Sequence, residues 1–588
     1  MPSKFRARSA RNVSAWHLSR WLPFALLLLV SAPALVTPFC LDDWVHRAVL
    51  TGAFSYPGQW SLYTFADGNP AHLAPHIVAG PLPWFTLPEL KIAFLRPLST
   101  FFLHVDVWAF GDSAPLAHLH SILWALAMLA AARRLYGVLL PHAALMASVL
   151  FALDDSHAMA IFWVANRNAL HAGAFGLWGL VAHLAWREHG RTRHLVAAFA
   201  CFALALASAE AAVGLLAYVF ARELVAKDRR PWVVLPTAGL LGLYAIAYRV
   251  LGMGAYGSAS YVDPTREPLA FLAEAPRRFC ALLGTWSTGI TADSWLTFPD
   301  LRWALVALGV VALPGWWWLW KKSAFDAKTN ETLSWLGLGA VMAVLPTLAT
   351  WPTDRLLLPS SFGACAVAGA VLARAWAGKR RLVVAWASVA FLLLPLGTWV
   401  LVPTVFRAWD RGVTHAMTDG ERGFEHERVV VLSSTDFAPA MYGTAVAALH
   451  GFARPTTWHV LSMAASALTV TRTDATHFAL QLSDGRMVDS IFEENFRGER
   501  FPFAPNDAVA LEGLNVIVTR TDAGHPVAIA VELQRPVADF TFVWFDGARF
   551  ARVALPEPGH ELELPRVPMM SEVAIGARPA GKVTAVLR

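Results

Sequence analysis

Charged residues are scarce in this chain. Asp, Glu, Lys and Arg together make up 15% of its 588 residues, whereas soluble domains carry about 25%. Hydrophobic residues reach 56%, and the mean hydropathy is +0.46. This shortage of charge excludes an ordinary soluble protein and predicts a protein that crosses a membrane several times.

Cysteine is also rare. The chain has four cysteines, Cys40, Cys201, Cys280 and Cys365, so the part beyond residue 400 is not a disulfide scaffold. No cysteine spacing matches a metal site. Six histidines crowd the external side, and their spacings match no zinc signature: His72, His76, His104, His118, His120 and His157. A divalent metal is possible but is not indicated, and the sequence indicates no other cofactor.

Positive charge is in excess, with a formal net charge of +6, but it does not indicate a nucleic-acid partner. The basic residues sit in short clusters between apolar runs, as cytoplasmic loops do under the positive-inside rule. The first cluster contains Lys4, Arg6, Arg8, Arg11 and Arg20, and the later ones lie at 133–134, 187–193, 227–230, 321–328 and 374–381. We therefore predict a cytoplasmic N-terminus.

The apolar runs predict a polytopic α-helical membrane protein with about eleven transmembrane helices, each near the ~20 residues that a bilayer requires. A long external segment, about 39–114, is expected to hold short helices at the membrane interface. The odd number of spans places the C-terminus outside the cytoplasm. The predicted spans are about 21–38, 115–132, 139–153, 169–186, a hairpin of two that turns near 208–210, 232–251, 301–320, 332–350, 356–375 and 382–404.

Residues 406–588 differ from the transmembrane domain predicted for residues 1–405. They lack a spanning run and contain strand-like patches at 429–432, 514–519 and 527–531, while 438–452 suits a helix. We predict a soluble, β-rich α+β domain on the extracytoplasmic side, long enough to bury its own core.

An acidic pair, Asp42-Asp43, follows the first predicted span directly. Two adjacent carboxylates at a membrane face repel each other, which raises the cost of ionising both. One of them could therefore take a proton from an acceptor hydroxyl as a general base. The alternative interpretation is a hydrated turn or a helix cap.

Further charged residues are expected on or near the same external face: Arg96, Asp154, Asp155, Arg167, Glu210, Asp354 and Arg355. Charges at a membrane edge are costly, so these residues are candidates for function. Arginine binds phosphate through forked hydrogen bonds, which suits a phosphorylated, lipid-linked substrate. The alternatives stay open: the arginines snorkel to lipid headgroups, the aspartates of the pair at 154–155 cap a helix, and Glu210 marks a polar turn.

The order of these residues resembles that of the type C glycosyltransferase superfamily, the polytopic enzymes that use polyprenyl-phosphate sugars. Asp42-Asp43 occupies the place of the superfamily's acidic motif in the first external loop. The likeness covers about residues 20–400 and is to the protein O-mannosyltransferase-like branch and bacterial relatives. The other similar segments are Arg96-Pro97-Leu98 with Phe110-Gly111, Phe151 through His157 to Trp163 with Arg167-Asn168, Ser208-Ala209-Glu210, and Asp354-Arg355 through Pro359 to Gly363.

The resemblance implies an enzyme of a bacterial-type inner membrane, surrounded by membrane lipids. It would move a sugar from a polyprenyl-phosphate donor to an extracytoplasmic acceptor, protein or glycan, by inverting transfer. Asp42 or Asp43 would act as the base, and the other charged candidates would bind the substrate. Two rival interpretations remain: a transporter or flippase of lipid-linked glycans, and an inactive glycan-binding scaffold. Ala209, where relatives carry Lys, keeps the second rival open.

Overall fold

The computed structural model describes residues 20–418, 424–452, 454–568 and 586–587. The basic residues Lys4, Arg6, Arg8 and Arg11, on which the N-terminal orientation depends, lie outside the described residues. The chain divides into two compact units. The helical unit comprises Met1–Thr37, Leu95–Leu251 and Glu267–Pro403, and the sheet unit comprises Pro38–Phe94, Gly252–Arg266 and Thr404–Arg588.

The helical unit consists of apolar helices joined by short 3-10 turns. Its α-helices are Leu22–Ser31, Pro97–Phe110, Ala114–Leu139, Ala144–Leu153, Ala158–Phe162, Asn168–His189, Thr192–Leu206, Ala212–Val225, Leu235–Val250, Pro268–Thr288, Ser294–Thr297, Arg302–Ser323, Ala327–Val344, Leu358–Ala377 and Arg381–Ser388. The last of these continues through a π-helical turn, Val389–Leu393, into Leu394–Thr418.

Seven helices in the described residues are long and apolar enough to cross a membrane, or eight if one bent pair is counted as a span. The predicted number of about eleven is therefore not confirmed. Three predicted spans form helical segments that fall short of the ~20 residues needed: Leu22–Val36, Thr192–Leu206 and Ala212–Val225. The seven are Ala114–Leu139, Val164–His189, Pro231–Val250, Pro299–Ser323, Ala327–Ala349, Asp354–Ala377 and Arg381–Met417.

Glycine lets two helices of the helical unit approach closely. Helix Pro268–Thr288 packs on Arg302–Ser323, and a Cβ added at Gly309 would lie 1.8 Å from the carbonyl oxygen of Cys280. A Cβ at Gly284 would lie 2.5 Å from the carbonyl oxygen of Leu305. Small residues permit such backbone contact between apolar helices, where dispersion forces replace the hydrophobic effect.

The bent pair lies at the predicted third span. Helix Ala144–Leu153 and the helical segment Asp155–Phe162 meet at an angle of 45°. Asp154 stands at the break in an extended conformation. The bend therefore brings two aspartates out of the regular helical hydrogen-bonding pattern, where their carboxylates can accept other donors.

The sheet unit contains three sheets. A four-stranded sheet has the order Phe550–Arg552, Phe540–Phe545, Arg428–Ser433, Thr457–Val460, and its last three strands are parallel. An antiparallel sheet has the order Val586–Leu587, Glu561–Leu564, Leu468–Arg472, His477–Leu482, His525–Leu533, Leu514–Asp522, Ala508–Leu511. The small third sheet consists of Thr64–Asp67, Lys91–Ala93 and Gly254–Tyr256.

These strands confirm the three patches predicted beyond residue 406. The predicted helix at 438–452 is observed at Phe437–Leu449, where it links two parallel strands of the four-stranded sheet. The last predicted span, 382–404, ends too early, because helix Leu394–Thr418 continues through Pro403. Proline removes one helical hydrogen bond and its ring crowds the carbonyl four residues earlier, so a helix passes through it only at a cost.

Nothing in the sequence predicts that the sheet unit is discontinuous. The indole N–H of Trp84 donates to the carbonyl oxygen of Leu461 at 3.0 Å. The backbone N–H of Leu87 donates to Phe496, and that of Ala259 donates to the carbonyl of Glu494, each at 3.0 Å. Segments 38–94 and 252–266 are thus built into the same core as the C-terminal strands.

We predict that Gly80→Ala destabilises the sheet unit more than Gly52→Ala. Both glycines have a positive φ, +99° and +81°, so each alanine would cost about 1–2 kcal/mol in backbone strain. At Gly80 the new Cβ would also lie 2.3 Å from the carbonyl oxygen of Trp458, whereas at Gly52 nothing lies within 4 Å. Overpacking adds about 1–3 kcal/mol.

The measurement is thermal unfolding of the purified full chain in detergent. Equal losses in the two variants would show that segment 70–80 does not pack on the C-terminal strands.

Candidate functional site

Three of the predicted site residues line one small cavity of the helical unit. Asp154, Asp155 and Asp354 face it together with apolar and weakly polar groups, among them Cys365 and Trp286. Its volume is about 20 Å³, which is room for a single water molecule. The cavity is therefore too small to hold a sugar. The roles of the three aspartates that line it follow from their hydrogen bonds.

Asp154 holds the bend in the chain. Its Oδ1 accepts the backbone N–H of Ser156 at 3.1 Å and the hydroxyl of the same residue, while the thiol of Cys365 lies 3.5 Å from Oδ2. The neighbouring Asp155 accepts the hydroxyl of Thr398 at 3.3 Å through Oδ2. One aspartate therefore caps a turn, and the other ties that turn to the last long helix.

Asp354 anchors a second turn. Its side chain is 2% exposed and accepts the hydroxyl of Thr291 and, at 2.6 Å, the backbone N–H of Ala292. It precedes helix Leu358–Ala377 directly, so it holds the start of that helix to the turn at 291–293. The adjacent Arg355 is carried on the same short 3-10 segment.

Asp293 is a member of this cluster that the sequence analysis missed. It lies close to Asp354, and burial raises the pKa of its carboxyl while the positive charge of Arg355 opposes that rise. Asp293 lies in the turn between two apolar helices, and its only signal in the sequence is an isolated acid in an otherwise uncharged stretch. The cluster thus has more carboxylates than the sequence indicated.

Arg355 differs from the other predicted phosphate ligands because its guanidinium is in no ion pair with another described residue. The guanidinium lies over the ring of Trp163, 5.3 Å from the ring centroid. Within the part of the chain that the structure describes, no carboxylate lies within 4.0 Å of it. Stacking on an aromatic ring orients a guanidinium while leaving its N–H groups available to an anion.

Arg96 and Glu210 pair with each other. Nε of Arg96 lies 2.8 Å from Glu210, which also accepts the backbone N–H of Leu95 at 3.0 Å. Both side chains are partly buried. The same turn receives a bond from the hydroxyl of Ser99, which donates to the carbonyl of Ser208 at 2.9 Å. The Ser208-Ala209-Glu210 segment therefore holds the start of helix Pro97–Phe110.

Arg167 is buried, with 1% of its surface exposed. It pairs with Asp106 and donates to the carbonyl oxygen of Ala117 at 2.9 Å. His120 contacts the other oxygen of Asp106 at 2.6 Å. Asp106, a single acid inside an apolar helix, was missed by the sequence analysis although such an acid is itself a signal. A role for Arg167 in donor binding stays a prediction.

Asp42 and Asp43 belong to the sheet unit and open helix Asp42–Leu50, where the helix dipole favours negative charge. Asp43 is 2% exposed, and its Oδ2 accepts the backbone N–H of Cys40 at 3.2 Å. Asp42 is partly exposed and accepts the phenol O–H of Tyr442 at 2.9 Å. The two members of the pair therefore have different environments.

The predicted site residues thus fall into separate groups. Asp154, Asp155, Asp354 and Arg355 lie together in the helical unit, whereas the ion pairs of Arg96 and Arg167 are separate features of the same unit. Among the described residues, no three His, Cys, Asp or Glu side chains are arranged to hold a metal ion.

Comparisons with known proteins add little. No protein-family model matches the chain, and no curated protein sequence matches it significantly. One solved structure with similarity is the crystal structure of ArnT from Cupriavidus metallidurans bound to undecaprenyl phosphate. The match has 14% identity and a TM-score of 0.37, and it covers 75% of this chain and 90% of that chain. A likeness at this TM-score does not show a shared function, so function is inferred from the residues themselves.

We predict that Arg167→Gln destabilises the helical unit strongly and that adding Asp106→Asn restores part of the loss. Removing one partner of a buried ion pair leaves an unpaired charge and costs about 3–5 kcal/mol. Thermal unfolding in detergent gives the measurement. Arg222→Gln is the control, because its partner Asp228 has a side chain that is 59% exposed, and such pairs contribute about 1 kcal/mol or less. A double variant no more stable than Arg167→Gln would contradict the pairing.

Proposed function

We propose that this chain is a membrane glycosyltransferase of the type C superfamily that uses a polyprenyl-phosphate-linked sugar. The proposal rests on the environment of Arg355. It follows a buried, anchored aspartate, stacks on Trp163 and has no carboxylate partner among the described residues. A guanidinium without an ion pair at the end of an apolar helix is suited to bind a lipid-linked phosphate.

The anchoring of Asp354 explains how Arg355 would be kept in place. The carboxylate of Asp354 accepts from Thr291 and Ala292, and within the described residues it forms no ion pair with Arg355. The short 3-10 segment that carries both residues fixes the backbone of Arg355. Positioning before substrate arrives lowers the entropy lost on binding, which is a large part of what an active site contributes.

The reaction itself would be a displacement at the anomeric carbon. A base removes the proton of the acceptor hydroxyl as its oxygen forms a bond to that carbon. The bond between the anomeric carbon and the phosphate oxygen breaks, and polyprenyl phosphate leaves with the electron pair. Arg355 would stabilise the charge that develops on the phosphate. Attack from the face opposite the leaving group inverts the configuration at the carbon.

Asp42 is the better candidate for the base within its pair. Asp43 is buried and accepts a backbone amide, which is a structural role. Asp42 is partly exposed and accepts the phenol O–H of Tyr442. A general base must reach the proton that it removes, so the more exposed member of the pair is preferred.

Several finer points belong to the same proposal. We infer a place in a bacterial-type inner membrane, a cytoplasmic N-terminus and a C-terminal domain outside the cytoplasm. The resemblance to the protein O-mannosyltransferase-like branch favours a hexose donor, and the acceptor is a protein or a glycan of the cell envelope. Arg96, Arg167, Asp154, Asp155 and Glu210 remain candidates for substrate binding, although the contacts described above are structural ones.

We predict that Asp42→Asn lowers sugar transfer by at least ~10²-fold, as loss of a general base does, and that Asp43→Asn lowers it less. Arg355→Gln should lower kcat/KM for the donor by about 10–100-fold, the loss expected for charged hydrogen bonds. Arg355→Lys should be intermediate, since lysine keeps the charge but loses the fork. Transfer from a polyprenyl-phosphate donor would be measured in membranes that contain each variant.

Arg374→Gln is the matched control, an exposed arginine near the end of the helix that follows Arg355. It should keep transfer within a few-fold of the unchanged protein. Wild-type rates in Asp42→Asn, in Asp43→Asn and in the double variant would overturn the base assignment. Movement of a lipid-linked glycan across vesicles without any transfer would favour a flippase.

The topology has its own test. Reporter fusions that end after Arg230 should give a cytoplasmic signal, because this residue closes a basic cluster. Fusions at the end of the chain should give an extracytoplasmic signal. A cytoplasmic signal from the second fusion would contradict the proposed orientation.

A further inference from the structure

We propose that Tyr442 is a positioning residue for Asp42 and that its phenol O–H fixes the orientation of the carboxylate. This rests on the proposed function, in which Asp42 is the base. The two residues are 400 positions apart in the sequence and lie in the same unit, with the phenol oxygen 2.9 Å from Oδ1 of Asp42. The C-terminal domain would thereby contribute to a site whose acid is at the start of the chain.

The phenol ring of Tyr442 is held by two aromatic neighbours. Trp44, on the same helix as Asp42, contacts it edge-on at 5.7 Å between ring centroids. Phe437, at the start of the helix that carries Tyr442, contacts it edge-on at 6.2 Å. Edge-on pairs of this kind add about 0.5–1.5 kcal/mol beyond burial. A ring held from both helices has little freedom to turn its hydroxyl away from Asp42.

The direction of the hydrogen bond follows from the chemistry of the two groups. Burial raises the pKa of the Tyr442 phenol well above its ordinary value, and the nearby carboxylate of Asp42 raises it further. The phenol therefore keeps its proton at neutral pH and donates it in a bond to the carboxylate. A donor to the ionised form stabilises that form, which is the form a general base needs.

The surroundings of Asp42 make such a donor useful. Asp43 lies on the same segment, and its negative charge acts on Tyr442 as well. The nearby thiol of Cys40 keeps its proton, because burial raises its pKa. The carboxylate of Asp410, on helix Leu394–Thr418, is close enough for its negative charge to act on Cys40. The positive charges of His450 and Arg411 partly offset that charge. Neighbouring carboxylates disfavour a further negative charge. A phenol that donates to Asp42 counters this repulsion without adding a positive charge that would compete for substrate.

The test is Tyr442→Phe, which removes the hydroxyl and keeps the ring. The first readout does not depend on activity. A hydrophobic carbodiimide modifies protonated carboxyl groups, and mass spectrometry of the purified full chain gives the modified fraction of Asp42 at each pH. We expect the midpoint to move up by about one pH unit, the equivalent of one hydrogen bond to a charged group. The second readout is transfer: kcat should fall about tenfold with KM for the donor unchanged, and the acid limb of the pH profile should move to higher pH.

Tyr56→Phe is the matched control. Tyr56 is a partly buried tyrosine of the same unit, and its phenol donates to the carbonyl oxygen of Phe65 at 2.5 Å. The Tyr56→Phe variant loses a comparable hydrogen bond. Its stability should therefore fall, while the midpoint of Asp42 modification and the pH profile of transfer stay unchanged. A shift in this control equal to that in Tyr442→Phe would overturn the inference, because the effect would then be a general loosening.

The outcomes separate the inference from the function on which it rests. If the midpoint moves in Tyr442→Phe while Asp42→Asn keeps full transfer, the contact is supported and the base assignment fails. If Asp42→Asn abolishes transfer and neither the midpoint nor the acid limb moves in Tyr442→Phe, the positioning role fails and the base assignment stands. If the midpoint and the acid limb both move in Tyr442→Phe and transfer is lost in Asp42→Asn, the positioning role and the base assignment are both supported.

Discussion

A charge that is buried among apolar helices must have a partner, and this constraint organises the helical unit. The cost of an unpaired buried ion is several kcal/mol, too large for a marginally stable fold to carry often. Arg167 therefore pairs with Asp106, and Arg187 pairs with Glu223. Buried Asp354 follows the same rule with neutral donors, since it accepts a hydroxyl and a backbone N–H. These contacts fix where the helices begin and how the turns between them fold.

Against that background, a charge that has no ion pair among the described residues is informative. Arg355 is half-buried and oriented by an aromatic ring, while the carboxylate of Asp354 accepts hydrogen bonds from Thr291 and Ala292. The fold bears a cost for holding such a residue near apolar helices, and binding an anion would recover it. Charged residues of a membrane protein that have no structural partner are therefore the strongest candidates for substrate binding.

Much of the fold follows from local sequence patterns. Apolar runs ending in basic clusters locate the long helices, and alternating patches beyond residue 406 locate strands such as Leu514–Asp522. The number of spans does not follow, because Thr192–Leu206 and Leu22–Val36 are apolar but short, and composition alone does not set where a helix ends. The discontinuous sheet unit was also beyond local patterns, since it depends on pairings such as Trp84 with Leu461.

The candidate site shows the same division. The charged candidates could be found by type and place, because charged residues make up only 15% of this chain. Their partners could not, because a partner such as Tyr442 or Thr398 is an ordinary residue hundreds of positions away. Asp293 was missed for a related reason: an acid in a turn between helices has no pattern around it, and only its place beside Asp354 in the fold marks it.

The two acidic pairs of the chain share a physical solution. In each pair one aspartate accepts a backbone amide, Asp43 from Cys40 and Asp154 from Ser156. The other accepts a hydroxyl from far along the chain, Asp42 from Tyr442 and Asp155 from Thr398. Adjacent carboxylates repel, and separate donors on each member offset that repulsion. The repulsion within each pair is thus relieved in both places. What distinguishes Asp42 is its donor, a phenol whose ring is held by Trp44 and Phe437.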